Sequence, residues 1–463
     1  MGSLPQDYVL PDASASHLVL TNPTEAEKKQ TWTLNHEEWG GALSLSEYLE
    51  REPYIATIPL SADGGMSHWI LTDPTVEASS GAPRPVLASG ESTRKRVLYL
   101  RPGGEAAEVK DGIAYGVGSI YTYPQFRGKR YASRLLRELG TALRTWPQRQ
   151  GGGAGAGAGA GKPGAERAVC SALWSDIGKD FYARKGWAAF PSRHVEFPVP
   201  AATTAAVNGN GEAATTTTEG NVGTQGEERE EEKEEEEGVT VTPVTYANLA
   251  ALCADDEHIL RTRVLPRAAR ATGKTCVAFA PDHDAMQWHL YRDDFIASLV
   301  FAGAGGECGA RDGRSEVKGA VAAAGKKRVW AVWSRSYHGK DPDPATEAGR
   351  KNTLYILRLA IDAGDQDEDA IIGDDEELAA AFRAVLRAAV REARAWKLAK
   401  IDMWNPTPAA RRLVERSGRA HRWVDREVDS IPSLMWYGDG EERETVKEDE
   451  EIEWVANEKF CWC

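Results

Sequence analysis

The sequence predicts a mixed α/β protein arranged as two α/β domains, and three observations carry that prediction. Short apolar strand-like runs alternate with amphipathic helices that have recognisable caps. The stretch from Gly112 to Tyr131, GIAYGVGSIYTYPQFRGKRY, reads as an apolar strand, a Pro-marked turn and a basic, glycine-containing entry into a helix. The second half then repeats the order of elements of the first in a worn form.

Taken in order, His17 to Leu20 is a short strand, and Asn22-Pro23-Thr24 turns and caps a helix carrying Glu25 and Glu27. A second helix fits Leu43 to Arg51 with Ser44 or Ser46 as its cap. Ser67 to Leu71, Pro85 to Glu91 and Val97 to Leu100 read as three strands, and Ile113 to Thr122 as a fourth. The helix after the turn places Tyr131, Leu135, Leu139, Ala142, Leu143 and Trp146 on one face. Gln150 to Gly164 is a Gly/Ala run that predicts a flexible insertion spanning 148–166. Arg167 to Trp174 is a strand, Asp176 to Lys185 a helix ended by Gly186, and Trp187 to Val199 holds a further strand.

Residues 201–238 change to Thr, Gly, Asn and Glu, a composition that cannot bury apolar surface, so a disordered acidic linker is expected between a domain over 1–200 and one over 239–463. In the second half, strands fit Val239–Val244, Thr275–Ala280, Phe295–Phe301, Val317–Ala322, Arg328–Ser334 and Asn352–Ile361. Helices fit Tyr246–Leu252, Leu378–Trp396 and Pro408–Arg416, with strands at Lys400–Trp404, Ser433–Tyr437 and Trp454–Cys461.

Composition limits the function classes. The chain has 463 residues and a formal charge of −14, much of it in local runs such as Glu227–Glu237. No clustered basic face marks a nucleic-acid binder, and no apolar run of eighteen residues marks a membrane span. Six scattered cysteines suit a reducing compartment, so a cytoplasmic location is expected; no set of residues has the spacing of a metal site.

A strand that delivers backbone N–H groups to a helix start makes an anion site, because unpaired amides and the helix dipole both favour negative charge. The run Arg127-Gly128-Lys129-Arg130-Tyr131-Ala132 resembles the helix-opening motif of the GNAT superfamily of N-acetyltransferases, Arg/Gln-x-x-Gly-x-Gly/Ala. Arg130 stands where the motif has its central glycine. A second segment, Ser175 to Trp187, is similar to the family's Asn-x-x-Ala-x-x-x-Tyr followed by Gly-aromatic, with Ser175 in place of the Asn and Gly178 in place of the Ala.

The resemblance implies a GNAT-type mixed sheet flanked by helices, followed by a second, degenerate GNAT-like α/β domain. It implies acetyl-CoA as co-substrate, with its pyrophosphate on the 127–132 turn and its pantetheine arm along Ile120, Tyr121 and Thr122, and with a contact from Ser175. Tyr182 would protonate the departing thiolate. Glu91 would act as base or bind a substrate ammonium, while His36, His68 and His194 read as structural or exposed. Glu38-Trp39, Tyr48 to Glu52, Ala88 to Ser92 and Met403 to Pro406 extend the similarity toward the fungal lysine acetyltransferases of lysine catabolism. That subgroup implies transfer to the N6 amine of free L-lysine; acetylation of protein or polyamine amines, and a non-catalytic CoA-binding scaffold, are the competing readings. The acid-rich stretch Asp362–Asp369 before the second domain's long helix repels CoA phosphates, so that domain is expected not to bind the cofactor.

Overall fold

The computed structural model describes residues 8–80, 84–102, 108–149, 167–200, 238–302, 316–364, 369–438 and 451–462. The Gly/Ala run 150–164, the linker over 201–237 and the acidic stretch 365–368 lie outside the described residues.

The chain begins β1 (Val19–Thr21), α1 (Glu25–Trp39), α2 (Leu45–Ile55), β2 (Met66–Thr72), α3 (Thr75–Ser80), β3 (Val86–Leu100) and β4 (Lys110–Tyr121). It continues with α4 (Tyr131–Arg149), β5 (Ala168–Ser175), α5 (Asp180–Ala183), β6 (Ala188–Ala189) and β7 (Arg193–Pro198). Capping boxes fix two of the starts: Thr24 with Glu27 for α1, and Ser44 with Glu47 for α2. After residue 238 come β8 (Val239–Val244), α6 (Tyr246–Ile259), α7 (Leu265–Thr272), β9 (Thr275–Phe279), α8 (His283–Val300), β10 (Gly319–Ala324), β11 (Lys327–Ser336) and β12 (Thr353–Asp362). The rest is α9 (Asp369–Asp374), α10 (Glu376–Ala395), β13 (Lys400–Trp404), α11 (Pro408–Glu415), β14 (Arg422–Asp425), β15 (Ile431–Trp436) and β16 (Ile452–Trp454).

Two mixed sheets repeat one pattern of pairing. In the first, β1, β2, β3 and β4 are antiparallel in turn, β4 is parallel to β5, and β15 and β6 complete it antiparallel. In the second, β8, β10, β11 and β12 are antiparallel in turn, β12 is parallel to β13, and β7 and β14 complete it antiparallel. The crossover helices are α4 and α10, one in each parallel connection. This is the mixed α/β sheet flanked by helices that the resemblance implies, present twice. Strands cross between the two halves of the chain: β7 joins the second sheet and β15 the first. The strands β9 and β16 also extend the first sheet, along β3. Sheet membership therefore does not divide at the linker.

The expected face of α4 is buried as read: Tyr131, Leu135, Leu139, Ala142 and Leu143 all lie in the core. Four expectations are corrected. Pro85–Glu91 and Val97–Leu100 are one strand, β3, because Ser92, Thr93 and Lys95 between them turn inward while Arg94 and Arg96 alternate outward; Lys95, for example, donates to Cys461 O at 2.8 Å. Phe295–Phe301, read as a strand, is the apolar end of α8, a buried helix segment that a short apolar run cannot distinguish from a strand. The helix expected from Asp176 to Lys185 is the single turn α5, since Gly178 and Gly186 adopt φ of 80° and 101°. Trp454–Cys461 is not a strand beyond β16 but a turn and a 3₁₀ segment at Lys459–Cys461.

That last segment fills the place where β12 leaves β13. The Leu359 N–H donates to Glu458 at 2.9 Å, the Lys459 ammonium lies 4.1 Å from the Trp404 ring centre, and Asn405 donates to Asn457 O at 2.6 Å. Arg358 is buried between Asp256 and Glu458 and bonds both carboxylates. Arg358→Met would leave two like charges buried together, with an expected loss of about 3–5 kcal/mol of stability, measurable as a shift in urea midpoint. Burial already raises Glu458 despite Arg358, so mildly acidic pH should recover part of that loss by neutralising the carboxyl.

Candidate functional site

The site begins where two parallel strands part. Pairing of β4 with β5 runs from Ile113–Ala168 to Val117–Leu173 and stops, although β4 continues to Tyr121 and β5 to Ser175. On the other side of β4, Ser119 and Ile120 stand against the single residue Gly90 of β3, a bulge in which Ser119 takes φ 52°. A Cβ on Gly90 would come to 2.5 Å from the tip of the Ile120 side chain, which would have to move aside. The bulge turns Gly118 to Thr122 along the gap, and all five residues line one cavity.

Glu91 sits beside the bulge. It accepts from Ser119 Oγ at 2.8 Å, and His68 Nδ1 lies 3.2 Å from its other oxygen. Burial opposes its charge, but the His68 hydrogen bond and charge, the Ser119 hydroxyl and Arg51 outweigh it and hold the carboxyl below its ordinary range. His68, read from sequence as structural or exposed, is the nearly buried partner of this carboxylate.

Beyond the gap the chain turns into α4. The N–H groups of Gly128, Lys129, Arg130, Tyr131, Ala132 and Ser133 have no acceptor among the described residues; the first bonded amide is Arg134, to Arg130 O at 3.1 Å. Gly128 takes φ 78° with open space around it, and Arg130 takes φ 67°, the left-handed conformation that a glycine adopts without strain. Arg130 thus keeps the backbone path that the family motif's glycine provides, and its exposed side chain leaves the amides uncovered. Arg127 folds back to donate to Thr122 O at 3.1 Å, tying the turn to the end of β4. The Tyr131 ring is buried, and its hydroxyl donates to Pro11 O at 2.5 Å, so only its backbone belongs to the turn. Six free amides at the head of a 19-residue helix are available to an anion, and the residues present fit a phosphate-bearing group.

Tyr182 reaches the same cavity from α5. Its phenol has no hydrogen-bond partner among the described residues, and burial together with the Asp176 charge pushes it up to about 12. Ser175 is committed elsewhere: its hydroxyl donates to Gly178 O at 2.7 Å and accepts from Ile177 N–H at 3.2 Å. The structure thus brings Glu91, Ile120, Tyr121, Thr122, Arg127, Ala132 and Tyr182 to one cavity of about 550 Å³, with Gly128 to Tyr131 forming the adjoining turn.

The opposite wall comes from residues to which sequence reading assigned no role. Tyr48, Arg51 and Glu52 of α2, Trp288 and Arg292 of α8, and Trp462 close it. The α2 residues were visible only within the resembling run 48–52; α8 had been misread in part, and nothing local marks Trp462. Arg51 donates to Glu52 at 2.9 Å and lies 4.2 Å over the Tyr48 ring. Burial raises the Glu52 carboxyl even against the pull of Arg51.

Residues 226–463, just over half of the chain, match the family described as the LYC1 GNAT-like C-terminal domain. The chain belongs to the LYC1-like GNAT family. It is also 22% identical, over 96% of its own length and 99% of the other's, to a protein of Yarrowia lipolytica named lysine acetyltransferase. Among solved structures it is similar to a GCN5-related N-acetyltransferase from Kribbella flavida (12% identity, 90% of this chain and 70% of that one, TM-score 0.43) and to one from Anabaena variabilis (10%, 90% and 72%, 0.43). The protein is an acetyltransferase of the GNAT type, a class that draws its acyl group from an acyl-CoA. The second unit's counterpart of the β4–β5 gap, between β12 and β13, is occupied by Asn457 to Lys459.

One group of potential metal ligands exists among the described residues, His194, Glu196 and Asp402. Cations of the protein already hold it: Lys400 lies 2.8 Å from Glu196 and 3.1 Å from Asp402, and Arg422 lies 2.7 Å from Glu196. Burial and neighbouring Arg426 push His194 down to about 4. No helix of the described residues is long and apolar enough to cross a membrane.

Proposed function

We propose that the protein transfers acetyl from acetyl-CoA to the N6 amine of free L-lysine, a step of lysine degradation, in the cytoplasm and without a metal. The observation that carries this reading is the run of six acceptor-free amides at the head of α4, opening onto the same cavity as Tyr182 and Glu91. In this reading Gly128 to Ala132 hold the pyrophosphate, and the backbone of Ile120 to Thr122 lies along the pantetheine arm. Tyr182 gives its proton to the departing thiolate; a phenol pushed up to about 12 is protonated throughout the working range. Glu91, held in its charged form, binds the side-chain ammonium, because a carboxylate of lowered pKa is a weak base but a good counter-ion. The two halves together wall the acceptor side, which supports a small acceptor over a protein surface.

The pH dependence follows from these directions. The rate should climb through neutral pH as the lysine amine, near pKa ~10.4 in water, gives up its proton. No alkaline loss from Tyr182 is expected below about 12. Activity should fall at acid pH as Glu91 is protonated, below the ordinary carboxylate range. Glu91→Gln is expected to raise the KM for lysine by about 10-fold or more with a smaller change in kcat. The overall reading is tested by thiol release from acetyl-CoA with a panel of amines. Release with free lysine supports it, and release only with a lysine peptide or a polyamine rejects it.

A further inference from the structure

Four charged groups face the acceptor side of the cavity, and three of them already have partners. Arg51 and Glu52 form one ion pair, and Glu91 is paired with His68. The fourth is Arg292. No carboxylate among the described residues lies within 4.0 Å of its guanidinium, and Glu52 and Asp293 attract it only from farther away. It projects from α8 one turn after Trp288, so the i and i+4 positions of one helix face present an indole and a guanidinium to the same space. The Trp462 ring centre lies 5.7 Å from its carbon and forms a further wall.

An unmatched arginine in a half-enclosed cavity is costly to keep charged. Burial, and then repulsion from Arg51, push Arg292 down to about 10. Such a group gains most when an anion arrives with the ligand, and a guanidinium matches the two oxygens of a carboxylate. The cavity therefore has a cation for an acid group and, across it at the bulge, the Glu91 carboxylate for an ammonium.

We infer that Arg292 reads the α-carboxylate of the acceptor amino acid and is the residue that separates free lysine from amides, peptides and diamines. The inference rests on the lysine reading given above. It adds a residue of the second half, on α8, as the source of acceptor specificity, and it accounts for why the α8 face closes on the first unit's gap. In a peptide or in lysinamide the acid group is absent, and the half-buried Arg292 gains no carboxylate partner. The discrimination is expected mainly in KM, because the carboxylate is remote from the reacting amine.

The test compares kcat/KM for L-lysine, L-lysinamide and 1,5-diaminopentane in the full-length protein and in Arg292→Gln and Arg292→Lys. Wild type should favour lysine over lysinamide by about 100-fold. Arg292→Gln should reduce that ratio to within about three-fold, and Arg292→Lys should restore part of it. Calorimetry with acetyl-CoA should show the same affinity in all three proteins, which separates lost specificity from lost folding. If wild type uses lysine and lysinamide equally well, the inference falls while the acetyltransferase reading stands, and this outcome needs no variant. An unchanged ratio in a folded Arg292→Gln also overturns it. If wild type acetylates none of the three amines, the lysine reading fails and the inference with it.

Discussion

Tyr182→Phe is expected to lower kcat by about 100-fold or more and to leave the KM for acetyl-CoA within about three-fold. The substitution removes one oxygen that bonds nothing in the described structure, so the ring keeps its packing against Phe181, whose ring centre is 5.0 Å away. Stability should therefore change by no more than about 0.5 kcal/mol. The change is confined to proton delivery: the thiolate must leave without an acid beside it. Steady-state kinetics at saturating lysine, with a melting curve as control, make the comparison. A kcat within about three-fold of wild type would remove Tyr182 from the chemistry and leave its packing as its role.

The second large effect concerns the donor. Ala132→Glu is expected to weaken acetyl-CoA binding by about 100-fold, roughly 2.7 kcal/mol. Ala132 lies in the first turn of α4 and faces the cavity. A glutamate in that turn is favourable to the helix itself, because its charge complements the dipole, so the fold should be unharmed. The same charge stands where the amides of Gly128 to Ser133 lack acceptors, and it repels a diphosphate. Calorimetry with CoA measures it directly, and raised salt should recover part of the loss by screening. Unchanged affinity would place the phosphates elsewhere.

Much of this site was legible because its signals are local. The turn at 127–132 advertised itself through glycine, basic residues and the 3.6-residue period of α4, and Tyr182 through its place after β5. Arg130 looked irregular in sequence, and the structure explains it: the residue adopts the left-handed conformation that the motif's glycine exists to allow. What stayed hidden depends on contacts far apart in the chain. The exchange of β7 and β15 between sheets has no local mark, because pairing partners such as Met403 and Val195 are set by tertiary packing alone. Arg292 and Trp288 were hidden because the apolar run at the end of α8 imitates a strand. Ser175 stands at the family's Asn position, but its hydroxyl serves the local Ile177–Gly178 turn. His68 gained its meaning only when β2 was laid beside β3, opposite Glu91.

The second unit shows the same logic from the opposite direction. Its sheet repeats the pairing order of the first sheet's seven-strand path, yet its gap holds Glu458 and Lys459 of the same chain. The acidic stretch noticed in sequence is not needed to argue against a cofactor there, because the backbone donor Leu359 N–H is already satisfied. In the proposed reading one fold serves twice, once as a donor site and once as a support that carries α8 and Trp462 to the acceptor side.

The most direct measurement is product analysis of purified protein incubated with acetyl-CoA and free L-lysine. Mass spectrometry should find N6-acetyl-lysine and free CoA formed in equal amounts, with no acetylation of the α-amine. Acetylation at the α-amine, or CoA release with no acetylated lysine, would contradict the account.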